Sequence, residues 1–174
     1  MSRSRTVALN IMEVLLMRTS QQGIDLIKHF EGCKLEAYEC SANVWTHGYG
    51  HTKHVQEGDK VTQKEADQNL LYDIQMIETH MTRLIRVELL QHQWDAIVSW
   101  CFNLGCGALR RSTMLLVMNS NDLEGVTKEL VRWNLVKGKL SKGLERRRKS
   151  EAHLFDTGKI DYFDSKPKKK SDDE

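Results

Sequence analysis

Between Tyr38 and Lys60 this chain loses the helical periodicity it shows elsewhere, and that interruption limits the folds open to it. Val44, Trp45 and other β-formers are interspersed with Gly48, Gly50 and Gly58, the signature of short extended segments and turns. Two or three short strands are expected there. On either side, apolar residues recur at helical spacing. Ser20 stands where an N-cap belongs, Ile24, Ile27 and Phe30 share one face, and Gly32 falls at the expected helix end. Thr62-Gln63-Lys64-Glu65 reads as a capping box, so a long helix should start there and carry Ala66, Leu70, Asp73, Ile74 and Ile77 to near Met81. Trp94, Ile97, Val98 and Cys101 form a further helical face, broken at Gly105 and Gly107. Shorter helices follow over 114–118, 123–136 and 144–155.

These segments predict an α+β fold, mainly α. A small β-containing N-terminal lobe takes up about 34–61, a connecting helix about 62–80, and a larger helical lobe about 81–160. Residues 1–17 read as an N-terminal extension with a short helix, 18–160 as the domain proper, and 161–174 as a charged tail without fixed structure. At 174 residues, 40% hydrophobic, the chain is large enough for one well-buried core. Its net charge of +2 demands no polyanionic partner. The clusters Arg110-Arg111, Arg146-Arg147-Arg148-Lys149 and Lys168-Lys169-Lys170 do concentrate positive charge in the C-terminal half. No nucleic-acid-binding motif accompanies them, so they predict a basic face and no specific nucleic-acid partner.

Four cysteines in a chain of this length do not make a disulfide scaffold. If Cys101 and Cys106 lie on one helix, their i, i+5 spacing keeps them apart, and both read as core thiols. Arg3 and Arg5 precede the apolar stretch 7–16, but Asn10 and Glu13 interrupt it and no cleavage site follows. It is also too short to span a bilayer. Neither a signal peptide nor a transmembrane segment is therefore expected.

Chemistry is concentrated around the β-forming stretch. Glu31 lies at a helix end, and Cys40 and Thr46 lie in the turn-and-strand region after it. A carboxylic acid placed to protonate a leaving oxygen, opposite groups that hold water, is the arrangement glycosidic cleavage requires. The same spacing also fits an ordinary surface carboxylate near a helix end. His47, His51 and His54 raise the question of a metal, but on a strand and turn they would not share one face, so no metal site is expected.

The motifs Leu26-Ile27-Lys28-His29-Phe30-Glu31-Gly32 with Tyr38, Val44-Trp45-Thr46 and Gly48-Tyr49-Gly50-His51-Thr52 resemble the phage-type lysozymes of glycoside hydrolase family 24. Phe102-Asn103-Leu104-Gly105, Gly107-Ala108-Leu109, Ser112-Thr113, Arg132-Trp133-Asn134, Gly143-Leu144, Arg147-Arg148 and Glu151 extend the resemblance, in order, over roughly 19–156. It implies a two-lobed lysozyme-like fold. It also implies an endolysin that hydrolyses the β-1,4 bond between N-acetylmuramic acid and N-acetylglucosamine, with inversion and without metal or cofactor. By that resemblance Glu31 is the general acid, and Thr46 helps hold the attacking water. Cys40 stands where many members carry aspartate. It can position water, act as base if its thiol ionises, or be lost to a disulfide with Cys33. Phe102, Asn103, Ser112 and Thr113 would contact the sugar. Arg147, or Arg148 if the register differs, would pair with Glu31, and His51 would pair with Asp73 to tie the lobes.

The implied partners are bacterial peptidoglycan and a holin that opens a path from the host cytoplasm to the periplasm, with the protein acting as a monomer. A rival reading is a catalytically weak cell-wall-binding protein, with membrane disruption by the cationic C-terminal helix as a side activity.

Overall fold

The computed structural model describes residues 17–40 and 43–164; the expectations for residues 1–16 and for the tail beyond 164 lie outside these. The elements run α1 (Gln21–Glu31), β1 (Lys34–Glu39), β2 (Trp45–Gly48), α2 (Gln63–Leu84), α3 (Gln91–Leu104), α4 (Cys106–Arg110), α5 (Thr113–Asn119), α6 (Leu123–Leu130), β3 (Leu135–Val136), β4 (Lys139–Leu140) and α7 (Lys142–Thr157). The fold is α+β and mainly helical, as the periodicity predicts.

Helix α3 is the centre of the molecule. Every residue from Gln93 to Cys101 is buried, and α1, α2, α4 and α7 all pack on it. A helix packed by neighbours on this many sides lies in the interior, so its polar side chains must find partners there. Full burial of Trp94, Ile97 and Trp100 contributes about 1.5–3 kcal/mol each. The polar residues on this helix are matched to specific partners. Buried Asp95 accepts hydrogen bonds from the Ser20 backbone N–H (2.9 Å), the Ser20 hydroxyl (2.5 Å) and Gln91 Nε2 (2.9 Å). Ser20 does occupy the N-cap of α1, but its hydroxyl oxygen accepts no helix N–H; the side chain is turned instead to donate to the buried carboxylate of Asp95.

β1 and β2 pair antiparallel, with Tyr38 opposite Thr46 and Glu39 opposite Trp45. The expected third strand shrinks to a bridge between Glu36 and Lys60. It is completed by Ala37 N–H to Asp59 O (2.8 Å) and Val61 N–H to Leu35 O (2.9 Å). At the end of β2 the chain meets α2. Gly48 has φ +60°, and a Cβ there would lie 3.3 Å from the Cβ of Ala66, so only glycine combines this backbone with so close an approach. Thr62 and Glu65 form the capping box the sequence predicts, and α2 continues past Met81 to Leu84.

Two readings change in the C-terminal half. Helix α6 stops at Leu130 rather than continuing to 136, and residues 135–140 form a β-hairpin instead. Its turn, Lys137-Gly138, has positive φ at both residues (49° and 77°). That is the backbone a two-residue hairpin loop needs, and the flanking Leu-Val and Lys-Leu pairs favour extended chain. The second change is at Gly105 (φ +81°), which ends α3 and starts α4 at a new angle. Cys101 and Cys106 are therefore not on one helix. Their thiols hydrogen-bond each other. Burial pushes the Cys101 thiol well up, whereas the bond from Cys101 holds Cys106 below its usual value. Only Cys101 is fully buried; Cys106 is half-buried.

Candidate active site

Glu31 is the last residue of α1, with its side chain 23% exposed. Arg147 of α7 reaches it: Nη1 donates to Glu31 Oε1 at 2.5 Å. Of the two arginines proposed for this contact, Arg147 makes it. Arg148 is turned about 100° around the helix and donates instead to Asn103 Oδ1 (3.0 Å) and Glu151 Oε1 (3.3 Å). The Arg147 guanidinium also donates to Glu151 Oε1 through Nε (3.1 Å) and to the Ser99 carbonyl through Nη2 (3.0 Å). Arg147 is thus held on three sides, and Glu31 is the one partner that comes from α1.

Glu151 is the anionic centre of this cluster. It is fully buried and accepts from Ser99 Oγ at 2.8 Å, as well as from both arginines. Arg148 Nε lies 3.0 Å from Glu151 Oε2, but the two atoms do not meet at a hydrogen-bonding angle. The contact is an ion pair only. Burial depresses the Arg148 guanidinium below its ordinary value, an effect that Glu151 opposes. Two arginines and two carboxylates in this arrangement form a rigid charged seam between α1, α3 and α7. Phe30 lies beneath it, with the Arg146 and Arg147 guanidinium carbons 5.7 and 5.6 Å from its ring centroid.

Cys40 and Thr46 lie on the β1–β2 hairpin that follows Glu31. Cys40 immediately follows β1; its N–H donates to Val44 O (3.0 Å), and its carbonyl accepts from Asn43 (2.9 Å). Thr46 is buried, and its hydroxyl donates to Val44 O at 2.9 Å. Neither Cys33 nor Cys40 is in a disulfide. His51 Nδ1 lies 2.8 Å from Asp73 Oδ2, joining the β-region to α2. The His47 and His51 rings stack at 5.6 Å, so these two do share a face despite the expectation. Among the described residues no group of three metal-ligating side chains converges.

Asn103 lies near the C-terminal end of α3 with its carbonyl oxygen taken by Arg148, while its amide NH₂ remains a donor. Phe102 is half-buried, packed against the core. Ser112 is the N-cap of α5: its hydroxyl accepts from Leu115 N–H (3.1 Å) and donates to Leu109 O (2.8 Å), and it is buried. Its role in this structure is to cap a helix. Thr113, exposed on the first turn of α5, is the hydroxyl of the pair that faces solvent.

Ser99 and the central position of Glu151 were not assigned roles from sequence. For Glu151 a signal existed, because it lies three and four residues from Arg148 and Arg147 on one helix. For Ser99 there was none.

An α1 carboxylate held by an α7 arginine, beside a small β-hairpin and above a helical core, defines a two-lobed lysozyme-like fold. The comparisons agree. The family model described as phage lysozyme matches residues 28–151, and the chain belongs to that family. It is 41% identical over 145 residues to the endolysin of Acyrthosiphon pisum secondary endosymbiont phage 1, covering 81% of this chain and 99% of that protein. The solved endolysin from Escherichia coli O157:H7 phage FAHEc1 superposes with a TM-score of 0.76 at 37% identity, covering 84% of this chain and 98% of that one. The muramidase domain of SpmX from Asticaccaulis excentricus superposes with a TM-score of 0.76 at 35% identity, covering 80% and 98%.

Proposed function

We infer that Glu31 is the general acid with which this phage lysozyme hydrolyses peptidoglycan, and the observation that carries the assignment is its ion pair with Arg147. Cleavage of the bond between N-acetylmuramic acid and N-acetylglucosamine needs a proton delivered to the bridging oxygen. Arg147, itself fixed by Ser99 and Glu151, sets the direction of the Glu31 carboxyl. It also stabilises the carboxylate left when the proton departs. Water attacks from the opposite face, which inverts the anomeric carbon; the proton it loses passes to bulk solvent, from which Glu31 is reprotonated for the next turnover. Because the hydrogen of the Thr46 hydroxyl is committed to Val44 O, its oxygen is available to accept a hydrogen bond from that water. Cys40 assists as a water-positioning thiol. Phe102, Asn103 and Thr113 contact the sugar, the aromatic ring through its apolar face and the others through hydrogen bonds.

Among the described residues no helix is long and apolar enough to cross a membrane. On this reading the protein works as a monomer, waits in the host cytoplasm and reaches the wall through a lesion made by a holin.

The test is the chemistry of the new ends. Purified sacculi digested with the protein and then reduced with borohydride should yield reduced N-acetylmuramic acid in proportion to the glycan released. Reduced N-acetylglucosamine would mean a different bond is cut. No new ends, with the protein still bound to the sacculi, would favour the cell-wall-binding alternative.

A further inference from the structure

Residues 159–164 leave the end of α7 and return across α1. The sequence predicts a tail without fixed structure from 161 onward, yet residues 161–164 make specific contacts with α1 and α7. Gln22 Nε2 of α1 donates to the Gly158 carbonyl at 3.1 Å, fixing where the segment starts. Ile160 and Tyr162 pack against the core. The Tyr162 ring stacks on His29 with centroids 3.9 Å apart and meets Phe30 edge-on at 6.4 Å. Phe163 has φ +49° and donates its N–H to Asp161 Oδ1 at 2.8 Å, a local turn that redirects the chain. Asp164 then lies between two helices: Oδ2 is 3.4 Å from His29 Nε2 of α1, and Oδ1 is 3.1 Å from Arg146 Nη1 of α7.

The contacts of Tyr162 and Asp164 with His29, Phe30 and Arg146 fall one or two residues from the pair the reaction uses. His29 and Phe30 directly precede Glu31, and Arg146 directly precedes Arg147. Glu31 lies at the last turn of α1, where helices fray because their final carbonyls lack intrahelical partners. A terminal turn that must aim a proton donor therefore needs support from outside the helix. Helices α1 and α7 each pack on α3, and at this point side chains join them directly: Arg147 to Glu31, the two arginines over Phe30, and Asp164 to both helices. Burial raises the Tyr162 hydroxyl above its ordinary value, consistent with a ring pressed into this seam.

We propose that Tyr162 and Asp164 are positioning residues for catalysis: this C-terminal strap braces the last turn of α1 against α7 and so holds Glu31 on line with its substrate. The proposal rests on Glu31 being the acid, but neither residue of the strap needs to touch the sugar. Losing the brace should therefore reduce turnover and leave substrate binding intact. A misplacement of up to an ångström at a reacting group costs up to about a hundredfold in rate, so a loss of about tenfold or more in kcat is expected.

The experiment compares wild type with Tyr162→Ala, Tyr162→Phe, Asp164→Asn and Glu31→Gln on soluble peptidoglycan fragments. It measures kcat and KM separately, and thermal midpoint alongside. Tyr162→Phe keeps the stack and should retain wild-type kcat. Tyr162→Ala and Asp164→Asn should lose kcat with KM within about twofold of wild type. The Asp164 side chain is half exposed, so Asp164→Asn should fold normally and keeps the test alive if Tyr162→Ala does not. Unchanged kcat in Asp164→Asn and Tyr162→Ala, or a loss confined to KM, would overturn the proposal. Near-normal activity in Glu31→Gln would instead overturn the reading on which it rests, so the two failures are distinguishable.

Discussion

Replacing Glu151 by glutamine would remove one negative charge from a site that holds two buried guanidinium groups. Glu151 is 0% exposed, Arg148 is 0% exposed and Arg147 is 3% exposed, so water cannot take over the lost interaction. Ser99 and both arginines donate to the same oxygen, Oε1, so an amide oxygen there can still accept from them, but a neutral group cannot balance either guanidinium charge. Removing one partner of a buried ion pair costs about 3–5 kcal/mol. Because the glutamine oxygen preserves the Ser99 bond, the lower end, about 3 kcal/mol, is expected. That is a large part of the about 5–15 kcal/mol that holds a domain together. With a urea slope of about 2 kcal/mol/M the unfolding midpoint should fall by about 1.5 M at unchanged slope. The thermal midpoint should drop by about 6–12 °C. Trp94 and Trp100 lie on α3, the helix that supplies Ser99, so tryptophan fluorescence reports the transition. Glu145→Gln is the control, because its partner Lys149 is half exposed and such pairs contribute about 1 kcal/mol or less. A Glu151→Gln midpoint as close to wild type as that of Glu145→Gln would refute the view that this seam is held by its central carboxylate.

Two further outcomes follow from particular contacts. Asp67 is held below the ordinary carboxylate range, mainly by its hydrogen bond from Lys28, which is itself raised by Asp67. A depressed acid stabilises the fold above its unfolded pKa and loses that contribution as pH falls through the folded value. Asp67→Asn should therefore lower the thermal midpoint at pH 7 and make no difference near about pH 2. At Cys40, if the thiol only positions water, Cys40→Ser should keep substantial activity and Cys40→Asp should be active as well. An inactive but folded serine variant beside an active aspartate variant would assign Cys40 as the base.

The helical scaffold was legible in the sequence because its signals are local. The Thr62–Glu65 capping box, the apolar face of α3 and the glycines that end α1 and α3 all act within a turn or two of themselves. An element was misread where a competing local signal had the stronger physical claim. Lys137-Gly138 outweighed the helical pattern that runs past Leu130, whereas Ser20 does stand at the N-cap of α1 as its position predicts, with its hydroxyl directed to Asp95. Glu31 and its arginine were reachable only through motif resemblance, since their meeting spans 116 residues of chain. Three arginines in a row cannot say which one faces α1. That choice depends on the rotation of α7 against α3, which Ser99 and Glu151 help to fix. The strap was invisible for a similar reason. Tyr162 and Asp164 sit in a short stretch of mixed apolar and charged residues too brief to show a period, and only the surface they land on gives them a place.

The central claim is that Glu31 delivers the proton, and replacing it with glutamine tests this most directly. Glutamine keeps the shape of the side chain and an oxygen for Arg147, but has no transferable proton at that position. With the thermal midpoint of the variant shown to be near wild type, release of reducing ends from purified sacculi should fall by about a hundredfold or more. Binding to the same sacculi should persist. Reducing ends released by Glu31→Gln at a rate close to wild type would contradict the account.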